Sequence, residues 1–132
     1  MTDDVGRTSI PDAYFSSVVT VRMANETVTL RPGDRPPKNL AVPCGVITAM
    51  NPAGEVHDDD TNAVANVALH ALLHRRNLTH VKSVSFAPDG THVEHGWMVS
   101  GITQNELRMI GRAFGQIAVY WIDRHVDVVA CR

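Results

Sequence analysis

Hydrophobic and polar positions change period along this chain, and each change marks an element. Tyr14 to Met23 (YFSSVVTVRM) is β-branched and aromatic, a strand pattern. Asn25-Glu26 reads as a turn, and Thr27 to Leu30 (TVTL) alternates, so a β-hairpin is predicted over residues 13–30. The stretch 31–41 is a loop, because Arg31 to Leu40 carries three prolines and a glycine. Val42 to Met50 is mostly apolar and suits a central strand buried on both faces. A polar loop, Asn51 to Asp60, leads to a helix over 61–76. Strands over 81–86 and 92–100 flank the turn Pro88-Asp89-Gly90. A helix over 103–115, a strand over 117–123 and a short last strand over 126–131 complete the chain.

This order predicts an α+β fold: a ferredoxin-like βαββαβ core over 42–132, with an antiparallel sheet and two helices on one face, preceded by the N-terminal β-hairpin. Another α+β arrangement of the same elements is the alternative, because strand order is not written in the sequence. The polar residues 1–12 read as frayed, and 132 residues fit one domain, 1–132.

The two helices differ in clarity. Thr103-Gln104-Asn105-Glu106 is a capping box, and Leu107, Ile110, Ala113, Phe114 and Ile117 share one face. Gly115 suits a helix end with positive φ. Gly111, in mid-helix, marks either close packing of a neighbour or a groove for a ligand. In the first helix, Val64, Val67, Ala68, Ala71 and Leu72 are the expected buried stripe. Asn62, Asn66, His70 and His74 are each four apart and form one ridge. That ridge is either a solvent face or, being uncharged where solvent faces carry Glu, Lys and Arg, a surface that recognises a polar ligand.

Composition narrows the classes. With 44% hydrophobic and 20% charged residues, whole-chain disorder is excluded. No uncharged apolar run approaches the roughly 18 residues of a membrane span. A formal net charge of -2 creates no global attraction to nucleic acid or anionic lipid, so neither partner is expected. Arg75-Arg76 and Arg108/Arg112 are small clusters without interleaved aromatics. The two cysteines, Cys44 and Cys131, form no CxxC pair and read as buried inert thiols. The start MTDDVGRTSI has no basic and apolar leader pattern, and a cytoplasmic setting is expected.

Catalytic signatures are sparse. GxSxG, Walker A, GxGxxG and HExxH are absent, and no cofactor is expected. His70-x-x-x-His74 has a spacing that can hold Zn²⁺, with Asp60, His57, His92 or His95 as further ligands. No compact signature joins these residues, so no metal is expected; His70, His74 and Asp60 are the candidates if one binds. Asp58-Asp59-Asp60 suits a helix N-terminus without any ligand.

Several short motifs line up in order: Ile47-Thr48-Ala49-Met50-Asn51-Pro52, then Asn62-x-x-x-Asn66-x-x-Leu69, then Glu94 opening EHGWMVSG, then Phe114-Gly115-Gln116-Ile117-Ala118-Val119-Tyr120-Trp121. Over Val46 to Asp123 the chain resembles a bacterial family known as domain of unknown function 3293. Thr61 stands where that pattern has an acid before Asn62, and Gly96 where it has a serine two residues after Glu94. The resemblance implies the element order and a cytosolic bacterial or phage setting, but no established activity.

Three functions follow as expectations. The first is a small cytosolic protein binding a polar small molecule, such as a nucleotide or phosphorylated metabolite. Asn51, Asn62, Asn66 and Gln116 are its ligand-binding candidates, and His70 and Glu94 its acid/base candidates. Asn51, Asn62, Asn66 and Glu94 are expected to group together, with Gln116 at the opposite end of the sheet. The second is an interaction module or homodimer using an open sheet face. The third is a metal-dependent hydrolase.

Overall fold

The computed structural model describes residues 10–132. Most of the segment read as frayed lies outside these residues, but Ile10 is buried. A single helical turn, α1 (Ala13–Ser16), leads into β1 (Val18–Arg22) and β2 (Thr27–Leu30). Then come β3 (Cys44–Thr48), a 3-10 turn (Pro52–Gly54), α2 (Asp59–Arg75), β4 (His80–Phe86) and β5 (Glu94–Ser100). The chain closes with α3 (Gln104–Ala113), β6 (Ala118–Ile122) and β7 (Val126–Ala130). Tyr14 and Phe15, expected at the start of a strand, belong to α1 instead.

All seven strands form one antiparallel sheet in the order β2-β1-β4-β5-β3-β6-β7. The expected ferredoxin-like core is therefore corrected: the molecule is a curled seven-stranded half-barrel with three helices, not a two-helix βαββαβ unit carrying a separate hairpin. The hairpin is part of the sheet, because β1 pairs along β4 from Val18↔Phe86 to Val21↔Ser83. At the other end β7 extends the sheet beside β6.

The curl follows from where apolar side chains go. Val28 and Leu30 of β2 share one core with Ile122 and Val126, although these strands lie at opposite ends of the strand order. Only a sheet bent on itself brings them together. Two backbone hydrogen bonds clasp the bend: Gly33 N donates to Val126 O and Val126 N to Asp34 O, both at 2.8 Å. The concave face holds Val19, Val21, Cys44, Val46, Met98 and Tyr120. A second core on the convex face packs Ile47, Trp97 and Val99 against Leu69 and Leu73 of α2 and Leu107 and Ile110 of α3. The open apolar sheet face expected of an interaction module is thus filled by the chain's own hairpin and loop.

The expected cap of α3 is present. Thr103 accepts from Glu106 N, and the Glu106 carboxylate accepts from Thr103 N. Gly111 answers to packing rather than to a groove, since a Cβ there would lie 2.7 Å from Cys131 Sγ. The α2 face is corrected. Asn62, Leu69 and Leu73 are its buried residues, whereas Val64 and Val67 are 71% and 67% exposed. Ala68 and Ala71, on the same outer stripe, are exposed too. Of the expected ridge, Asn62 is buried because it is held by the loop that leaves β3, Asn66 is half-buried, and His70 and His74 are exposed. Both cysteines are buried and free. Among the described residues no helix is long and apolar enough to cross a membrane.

Candidate functional site

The site begins where β3 ends. Thr48 Oγ1 donates to His95 O and accepts from Met50 N, which turns the chain off the sheet. Asn51 then adopts the left-handed conformation (φ 48°, ψ 56°), which asparagine tolerates better than other side-chain-bearing residues. Ala53 N donates to Gly115 O at 2.7 Å and ties this loop to the end of α3. Gly115 meets two demands there. Its φ is +72°, and a Cβ would approach Pro52 Cβ to 2.8 Å.

Asn51 and Asn62 interlock. Asn62 Oδ1 accepts from Asn51 N at 2.9 Å, while its Nδ2 donates to Asn51 Oδ1 at 2.9 Å and to His57 O at 3.2 Å. Asn51 Oδ1 also accepts from His57 N at 3.0 Å. These bonds engage both ends of the Asn62 carboxamide, leaving Asn51 Nδ2 to point elsewhere. It donates to Glu94 Oε2 at 3.0 Å. Glu94 opens β5 opposite Ser85 of β4. Burial raises its pKa, against the pull of the Asn51 hydrogen bond and the His92 charge. No described donor engages its other oxygen. Gln116 Nε2 donates to Met50 O at 3.1 Å and to Phe114 O at 3.4 Å.

Above Glu94, the open end of the concave face encloses a cavity of about 210 Å³. Asn51, Glu94 and Gln116 form its polar side, with Thr48, Ser83 and Ser85 from the strands. Tyr14, Phe86 and Tyr120 supply its aromatic walls. Burial, with the charge of Glu94 adding to it, pushes the Tyr14 hydroxyl up to about 12. The Tyr120 hydroxyl is raised for the same reasons and donates to Tyr14 O at 3.4 Å, which holds α1 over the cavity. Two residues of this lining, Asn51 and His92, have positive φ. Such conformations persist where the surroundings over-determine them, often at functional sites.

The structure therefore brings together Asn51, Glu94 and Gln116. Gln116 was expected at the far end of the sheet. In an antiparallel pair, however, the end of β3 lies beside the start of β6, so Gln116 meets the Asn51 loop. Asn62 holds that loop from behind and does not line the cavity. Asn66 lies one turn further along α2, away from the cavity, and its Oδ1 is buried without a hydrogen-bond partner.

His70 is on the other face of the sheet from Glu94. Its ring stacks on Trp97 with centroids 4.7 Å apart, and its Nδ1 lies 3.0 Å from His80 Nε2. The His74 ring is 6.5 Å from that of His70. Asp60 is exposed in the first turn of α2, where Asp58 provides the cap by accepting from Thr61 N at 2.7 Å. That hydrogen bond lowers the Asp58 pKa. Among the described residues no group of three or more His, Cys, Asp or Glu is placed to hold a metal ion.

Sequence reasoning missed Tyr14, Ser83 and Tyr120 as site residues, and weighed His92 only as a further metal ligand. The Ser83-Val84-Ser85 alternation was a usable signal, since it places two hydroxyls on one face of a strand. Nothing local marked Tyr14, because its sequence neighbours read as strand.

The profile of the family described as "Protein of unknown function (DUF3293)" matches residues 47–119, more than half of the chain. The chain belongs to that family. The match runs from β3 to β6 and includes Asn51, Glu94 and Gln116. Comparison with curated proteins and with solved structures finds no match.

Proposed function

We propose that this member of the DUF3293 family binds a small polar molecule in the cavity at the open end of the half-barrel. One observation carries the reading. The Glu94 carboxyl is half-buried at the cavity wall, with one oxygen fixed by Asn51 and the other facing no described donor. A carboxyl partly withdrawn from water gains from each hydrogen bond it is offered, so an oxygen left open beside a cavity is a recognition point for a donor. The rim supports the same reading, because two lining residues, Asn51 and His92, are held there in left-handed backbone conformations.

Size narrows the ligand. An apolar cavity of roughly 150 Å³ takes benzene, so about 210 Å³ takes a molecule of about ten non-hydrogen atoms. That is a nucleobase or an amino acid rather than a whole nucleotide. Gln116 and Asn51 offer amides beside Glu94, and the aromatic walls cover the apolar part of such a ligand.

The test is an NMR titration of ¹⁵N-labelled protein with a library of fragments of that size. Binding is expected to shift the amides of Asn51, Glu94 and Gly96, to be lost in Glu94→Ala and to survive in His70→Ala. Hits that shift α2 instead, or survive in Glu94→Ala, refute the reading.

A second reading has its own observation. The outer stripe of α2, with Val64, Val67, Ala68 and Ala71, is an exposed apolar helix face, the kind of surface an interaction module uses. It lies on a helix and not on the sheet face first expected to serve.

A further inference from the structure

Resting on that reading of the cavity, we propose that its ligand is a small organic cation bearing N–H donors, of the amine, amidinium or guanidinium class. Among the described residues the cavity wall contains a carboxyl, Glu94, but no lysine or arginine. A phosphate or carboxylate placed there would meet a like charge, and His92 is the one described side chain of the lining that can carry a positive charge. A cation meets the free oxygen of Glu94, and a charge-assisted hydrogen bond in a half-buried setting is stronger than one between neutral groups. This reverses the phosphorylated class suggested by the amide-rich motifs.

The remaining walls favour the same ligand. Tyr14, Phe86 and Tyr120 surround the space, and aromatic faces attract cations through their quadrupoles. Glu94 is close enough to both tyrosines for its charge to act on both hydroxyls, so carboxyl and rings share one compartment. Ser83 is 97% buried by its 3% exposure, lines the cavity, and its hydroxyl has no described partner. That hydroxyl can accept a second N–H from the ligand. Carboxyl oxygen, serine oxygen and ring faces together form a site for a donor-rich, positively charged head. The other titratable groups around Glu94 are His92 from the β4–β5 loop, Tyr14 from α1 and Tyr120 from β6.

The test compares isosteres that differ in charge. Full-length ¹⁵N-labelled protein is titrated with methylguanidinium chloride and, separately, with N-methylurea, at matched ionic strength and neutral pH. Tetramethylammonium, a cation without N–H donors, and inorganic phosphate complete the set. Methylguanidinium is expected to shift the Glu94, Gly96 and Ser83 amides with an affinity at least tenfold above that of N-methylurea. Tetramethylammonium is expected to fall between them, and phosphate to leave those amides in place. In Glu94→Gln, which keeps an acceptor for Asn51, the preference for methylguanidinium is expected to collapse to within about twofold. If N-methylurea or phosphate binds the cavity as well as methylguanidinium does, the cation inference is overturned while the cavity remains a ligand site. If no probe moves the cavity amides, both readings fall. The wild-type comparison decides the matter even if the variant does not fold.

Discussion

Two asparagines one turn apart on α2 are predicted to respond in opposite ways to the same truncation. Asn62→Ala deletes three hydrogen bonds, of 2.9, 2.9 and 3.2 Å, and strips the Asn51 backbone N–H of its acceptor. At about 1 kcal/mol net for each bond the loss is about 3 kcal/mol. Alanine returns up to about 0.7 kcal/mol of helix propensity, which leaves a destabilisation of about 2 kcal/mol. For 132 residues the unfolding entropy is about 0.28 kcal/mol/K, so Tm falls by about 7 °C. Asn66→Ala removes a buried oxygen that has no hydrogen-bond partner. Relief of that group adds about 1 kcal/mol to the same propensity gain. The variant should be more stable than wild type by about 1 kcal/mol after some packing is lost. Urea unfolding followed by far-UV circular dichroism, with m-values checked for constancy, measures both. The reasoning is refuted if Asn62→Ala lies within about 0.5 kcal/mol of wild type, or if Asn66→Ala loses more than about 1 kcal/mol.

Two further outcomes are expected. The pKa of Glu94 is raised above its ordinary 4.5 in the folded state, so folding holds its proton more tightly. Its contribution to stability is then greatest below pH 4.5, falls as pH rises through the folded pKa, and stays low above it. Glu94→Gln should match wild type at acid pH and exceed it at neutral pH; a difference that does not change between pH values, measured by urea midpoints, contradicts this. On the outer face of α2, the double variant Val64→Glu, Val67→Lys should leave monomer stability within about 0.5 kcal/mol, because both side chains are already mostly in water. Light scattering of the same pair decides the interaction-module reading, which requires wild type to associate and the variant not to.

The strands were legible because β-branched alternation and turn residues act locally. Thr103 and Gly115 marked the ends of α3 for the same reason, since a capping box and a positive φ are properties of a few consecutive residues. The curl was not legible. It depends on a pairing between Gly33, Asp34 and Val126 that no local pattern announces. The rotation of α2 was misread because apolar residues lie on both sides of the helix. Val64, Val67, Ala68 and Ala71 compete with Ala65, Leu69, Leu72 and Leu73, and hydrophobic periodicity alone cannot choose between them. The choice falls to Asn62, whose amide fits the loop at Asn51. At the site, Asn51, Glu94 and Gln116 stood out as polar residues at strand ends and in loops. Tyr14 did not, because its role depends on a helical turn folding over a strand end more than a hundred residues away in sequence.

The clasp between Asp34 and Val126 has a consequence for a chain still being made. β1 pairs with β2 at once but finds its second neighbour only after β4 has been synthesised, and β3 waits for β5. The clasp itself needs Val126, the first residue of β7. Such non-local pairings are slow to form, because each must close a long loop before it gains any contact. On the ribosome, the concave core therefore stays open until Val126 has emerged. A nonsense or frameshift mutation just before β7 would spare most of the sequence but leave a sheet that cannot shut. The quality-control proteases of the cell would then meet its interior as an exposed apolar surface.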